Sequence, residues 1–149
     1  MSTPAKSAPK KSRRKAREIA LQGLYQWKLT AYDAATIDKQ LREHEDFARA
    51  DDAHFATLLK GAIKHSGELE LALQPHLDRP IRELSPVESA LLLLAAFELI
   101  HQPDIPYKVV INEAVELAKS YGGADGYKYV NGVLDKLAAQ VRAVEMKAR

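Results

Sequence analysis

The sequence predicts an all-α fold, and three observations carry that prediction. No stretch alternates apolar and polar residues with period two over the length of a strand. Apolar residues instead recur at i, i+3, i+4 and i+7 in segment after segment. One segment, residues 85–101 (SPVESALLLLAAFELIH), is apolar almost all round, with Glu88, Ser89 and Glu98 the only polar residues from Val87 to Ile100. A helix of that kind must be surrounded by other helices, and it is too short and too interrupted to span a bilayer.

Residues 1–11 (MSTPAKSAPKK) show no periodicity and read as a disordered basic extension, leaving 12–149 as a single helical domain. A first helix is expected over about 12–30, because Ala16, Ile19, Ala20, Gly23, Leu24 and Trp27 form one continuous face. Gly23 costs about 1 kcal/mol there relative to Ala, which points to a close helix approach. A weaker helix starts near Asp33 and uses Ile37 and Leu41. Asp51 or Asp52 caps a third, with Phe55, Leu58, Leu59, Ala62 and Ile63 on one stripe. Gly67 is expected to interrupt it, with Leu69, Leu73 and Leu77 continuing as a short fourth helix. In the central segment Ser85 caps, Pro86 takes the first helical position and Glu88 completes a capping box. Pro106 opens a sixth helix with Val110, Ala114, Leu117, Ala118 and Tyr121 inward, ended by Gly122-Gly123. The last helix turns Val130, Val133, Leu134, Leu137, Ala138 and Val141 to the core. The count is about seven.

The net charge of +2 hides an asymmetry: Lys6, Lys10, Lys11, Arg13, Arg14, Lys15 and Arg17 fall in the first 17 residues with no acid, while the rest holds 15 bases and 20 acids. A basic arm on a mildly acidic body is the footprint of a nucleic-acid binder, a solubilising tail being the alternative. Arg13, Arg14, Lys15 and Arg17 also stand at the wrong end of their helix, against its dipole, where an anionic partner would supply the missing compensation.

Enzyme signatures are absent. There is no glycine-rich phosphate loop, no paired-histidine zinc motif and no glycine-flanked serine elbow. The chain has no cysteine, which excludes disulfides, zinc–thiolate sites and thiol nucleophiles. His54, His65 and His76 recur every eleven residues, but Gly67 and Pro75 break the helix that would align them. No metal or cofactor is expected, and nothing resembles a secretory signal, so the expected compartment is the cytoplasm.

What remains are binding features. Tyr25 lies off the apolar face of the first helix, either as an interface aromatic or as a ring folded over the core edge. Glu88 is explained by its cap and also stands where a partner could reach it. The segment 122–131 (GGADGYKYVN) interleaves Asp125 and Lys128 with Tyr127 and Tyr129, a mixture suited to single-stranded RNA, whose bases stack on rings while cations meet phosphates. A loop and cap with locally packed tyrosines fits the same residues.

REIALQGLYQW (17–27), SPVESALLLLAAFEL (85–99), IPYKVVINEAVELAKSYG (105–122) and YKYVNGVLDKL (127–137) resemble the NusB family of transcription antitermination factors, over about residues 13–141. The resemblance implies two packed helical bundles, of three and four helices. It implies a non-enzymatic protein that pairs with NusE, a small-subunit ribosomal protein. The pair binds boxA of nascent RNA and joins an antitermination complex on RNA polymerase, notably in ribosomal RNA transcription. Carried over by motif, Arg13, Arg14, Lys15 and Arg17 are expected to contact RNA, with Asp125, Lys128 and Tyr129 as a second RNA-facing region. Tyr25 and Glu88 match partner-binding positions toward NusE. The chain departs from the family in its longer basic lead, in Tyr129 where Phe is common before Val-Asn-Gly, and in the Gly-Gly before Ala124. Rival readings are a helical protein–protein adaptor, a ribosome-assembly factor, and the NusB-like domain of an rRNA cytosine methyltransferase. The last would require this chain to be a fragment.

Overall fold

A computed structural model describes residues 11–121 and 126–148, which form helices and short turns. The expected disordered extension, apart from Lys11, lies outside the described residues, as do Gly122, Gly123 and Asp125. The helices are α1 (Arg13–Leu29), α2 (Ala34–Leu41), α3 (Asp52–Lys64), α4 (Ser66–Leu73), α5 (Pro86–His101), α6 (Tyr107–Tyr121), α7 (Gly126–Val141) and a short α8 (Ala143–Lys147). Among the described residues no helix is long and apolar enough to cross a membrane.

The caps follow from sequence. Ser12, Asp33, Asp51 and Ser85 each accept a bond from the backbone N–H three residues on, opening α1, α2, α3 and α5. Of the two candidates before α3, Asp51 is the cap, while Asp52 pairs with Arg42 at 2.9 Å. At α5 the Ser85 hydroxyl also donates to the Glu88 carboxylate at 3.2 Å, which pins that acid at the helix start.

α5 is the post. Every residue from Ser89 to Leu99 is buried, and the helix packs against α1, α3, α4, α6 and α7. Around it α1, α2 and α3 form one group of three, and α4, α6 and α7 complete a group of four with α5. Gly23 permits the close approach expected of it: a Cβ there would stand 2.7 Å from a Leu41 methyl and 2.9 Å from a Leu59 methyl. Gly61, not singled out by the sequence, is tighter still, with the Phe97 ring 2.3 Å from the same position.

Three boundary expectations are corrected. The α3–α4 break falls at His65, and Gly67 lies inside α4 with open space around it. The backbone ladder runs through the break, since His65 N–H donates to Gly61 O and His65 O accepts from Leu69 N–H. The joint is therefore a kink at a residue whose ring stacks on His101 and Phe97. Leu77 follows a 3₁₀ turn (Gln74–His76) instead of extending α4. Tyr121 and Val141 are exposed at the ends of their helices, where the apolar stripe runs past the neighbouring surface.

Buried charges lock the bundles. Glu98, 1% exposed, accepts from Arg17 Nε at 2.9 and 3.0 Å, and its other contact is His54 Nε2 at 2.9 Å. Arg142 donates to the carbonyls of Leu99 at 2.7 Å and Gln102 at 3.0 Å, closing the C-terminus of α5 with a cation at the favourable end of its dipole.

Candidate RNA and partner interface

The start of α1 is held by backbone pairing as well as by its cap. Ser12 N–H donates to Arg49 O at 2.8 Å and Asp51 N–H to Ser12 O at 2.9 Å, which ties the first turn to the segment before α3. The four bases that crowd this turn all meet acids, most of them brought from elsewhere in the chain. Arg13 lies 3.7 Å from Asp51, Arg14 makes a two-pronged bond to Glu113 at 2.7 and 3.0 Å, and Lys15 meets Glu18 at 2.7 Å and Asp46 at 3.7 Å. Apart from Glu18, three residues on from Lys15 in the same helix, the compensation is tertiary.

The four do not share one role. The side chains of Arg13 and Arg14 are 57% and 68% exposed, and both line an open cleft of about 350 Å³ with Pro106, Val109 and Glu113. Lys15 is partly buried. Arg17 is 5% exposed and turned inward to Glu98, with Glu113 at 3.7 Å. Its charge anchors α1 to the post, and its guanidinium does not face solvent.

Lys128 and Tyr129 sit in the first turns of α7, facing the turn that follows α4. The Tyr129 hydroxyl donates to Asp78 Oδ1 at 3.0 Å and accepts from Asp78 N–H at 3.3 Å, and Arg79 lies over the ring at 5.6 Å. Bonds from Arg79 and then from Tyr129 hold the Asp78 carboxyl down at about 2. Asp78, Lys128 and Tyr129 border a cleft of about 370 Å³ lined also by His76, Gly132 and Lys136. Lys136 and Arg79 were missed by sequence reasoning. The signal for Lys136 was present, since Lys128, Gly132 and Lys136 repeat every four residues on one helical face. Arg79 is brought in by the 3₁₀ turn and carried no such signal.

Tyr25 meets the start of α5 at Val87, the residue before Glu88. Tyr25, 39% exposed, lines an apolar cleft of about 290 Å³ with Leu21, Gln22, Val87 and Tyr121. Glu88 follows Val87 at the start of α5, and a Cβ on Gly126 would stand 3.3 Å from its Oε2, so α7 begins beside it. Tyr121 donates to Glu18 at 2.9 Å, fixing one wall of the cleft. The basic start of α1 and the Lys128–Tyr129 pair border separate clefts.

A family model, described as the NusB family, matches residues 14–139. The transcription antitermination protein NusB of Ralstonia nicotianae is 62% identical over 144 residues, covering 97% of this chain and 93% of that protein. The corresponding protein of Paraburkholderia phytofirmans is 60% identical over 139 residues, covering 93% and 96%. Among solved structures, NusB of T. maritima is 29% identical with a TM-score of 0.78 over 89% of this chain and 94% of its own. A crystal structure of antitermination factors NusB and NusE in complex with double-stranded RNA contains a chain 29% identical with a TM-score of 0.78, covering 86% and 96%.

Proposed function

The chain belongs to the NusB family, and we propose that it is an RNA-binding transcription antitermination factor acting in the cytoplasm. It pairs with NusE, binds boxA of nascent RNA and, within the RNA polymerase antitermination complex, suppresses termination in ribosomal RNA transcription. The observation that carries this reading is the exposed Arg13–Arg14 pair at the outer end of α1, on a chain whose relatives work beside RNA.

In this reading Arg13 and Arg14 neutralise phosphates, Glu113 and Asp51 holding the guanidiniums ready until RNA competes for them. This contribution is salt-dependent and nearly blind to sequence. Lys15 adds charge from the same turn, and Arg17 positions the turn through Glu98. Base discrimination falls to the second region, where Lys128 and Lys136 meet phosphates and an unstacked base lies on the Arg79–Tyr129 platform. Asp125 belongs to this region as an acceptor for a base edge. Tyr25 and Glu88 dock NusE, the ring filling an apolar pocket of the partner and the carboxylate meeting a donor.

The test is binding of a short boxA RNA, with and without NusE, at two salt concentrations. Weak binding alone, tightened by NusE and lost with a scrambled RNA, is the expected result. Equal affinity for both RNAs with no help from NusE would leave only a helical domain with an adhesive basic arm.

A further inference from the structure

We propose that His65, Glu68 and His101 form a binding site for one divalent transition-metal ion of the zinc class. Glu68 Oε1 lies 3.2 Å from His65 Nδ1 and 3.3 Å from His101 Nε2, and the three atoms fall within 4.8 Å of one another. Metal–ligand bonds of about 2.0–2.1 Å in a tetrahedron put neighbouring donor atoms about 3.4 Å apart. The carboxylate oxygen therefore already stands at coordination spacing from both imidazoles.

Stacking brings the two rings together, and each turns to aim its nitrogen at a shared ion. His65 and His101 stack with centroids 4.3 Å apart, and Phe97 packs against His101 at 5.1 Å. The donors come from the α3–α4 kink, from α4 and from the last turn of α5, so an ion would tie α4 to the post. Partial exposure of all three side chains gives an entry path and room for water to complete the shell. Two imidazole nitrogens and one carboxylate suit zinc, cobalt, nickel or copper and disfavour magnesium and calcium. The other described histidines do not converge: His54 is buried on Glu98, His76 meets Gln140, and His44 Nδ1 accepts from Asp46 N–H.

Binding an ion requires each ligating ring nitrogen to carry no proton, and His101 Nε2 then exchanges its 3.3 Å contact with Glu68 Oε1 for the metal. The experiment is calorimetric titration of the untagged full chain with zinc chloride at pH 7.5, repeated with cobalt to read the visible absorbance of a tetrahedral site. One ion per chain is expected, with affinity reduced by roughly tenfold or more in Glu68→Gln and His101→Gln, at least what loss of an outer-shell partner produces. His76→Gln should bind as the parent does, and thermal melts of the metal-free variants check that they are folded. Absence of saturable one-to-one binding overturns the proposal. So does equal affinity in the parent, Glu68→Gln and His101→Gln.

Discussion

Replacing Glu98 by Leu should cost about 3–5 kcal/mol, the range for removing one partner of a buried ion pair. The structure sets that size. The Arg17 and Glu98 side chains are 6% and 2% exposed, so water cannot replace the lost carboxylate. The acid left to Arg17 is Glu113 at 3.7 Å, and Glu113 is already bonded to Arg14. His54 loses its Glu98 contact as well. For a chain of 149 residues such a loss lowers the melting temperature by about 10–16 °C. The assay is urea unfolding followed by helical circular dichroism, with the slope against urea checked for change. The pH dependence has a definite sign. Burial pushes the Glu98 carboxyl up, but the bonds from His54 and Arg17 outweigh it and hold it below its ordinary 4.5. The pair's contribution is complete above that value and is lost as pH falls through the lower folded value. The parent should therefore lose stability faster than Glu98→Leu below about pH 4.5, and the difference between the two isolates Glu98 from the other depressed carboxyls. A cost under about 1 kcal/mol, the range of exposed pairs, would refute the reasoning. It would mean that Arg17 re-pairs with Glu113 or reaches water.

Other consequences can be measured directly. Gly61→Ala should destabilise by about 1–3 kcal/mol through overpacking against Phe97, read in the same urea titration. Arg13→Gln with Arg14→Gln should reduce RNA affinity and lower the salt slope by roughly 1–2, with the melting temperature little changed; an unchanged slope removes α1 from the RNA surface. Tyr25→Ala should weaken capture of NusE while leaving the fold intact, and capture at full strength rejects that assignment. Tyr129→Phe should raise the Asp78 carboxyl from about 2, since one of the three side-chain bonds it accepts is removed, as followed by carboxylate NMR titration.

Much of this protein is legible in its amino-acid sequence alone. The stripe Ala16–Ile19–Ala20–Gly23–Leu24, the Ser85 cap and the all-round apolar run of α5 fix helices whose period is a property of the local backbone. Family motifs placed Tyr25, Glu88, Lys128 and Tyr129, and the fold sets Tyr25 beside the start of α5 and Tyr129 against Asp78. The tertiary structure decided the rest. Four bases at the start of α1 looked uncompensated because, Glu18 apart, their acids lie at Asp46, Asp51, Glu98 and Glu113, up to 99 positions away. That separation also divides the cluster, leaving Arg13 and Arg14 outside while Arg17 is drawn into the core. His101 meets His65 and Glu68 for the same reason, across a kink that a glycine seemed to announce two residues late. A helix dictates which of its own residues share a face; which charge that face meets depends on how α5 packs its neighbours, and no local period encodes it.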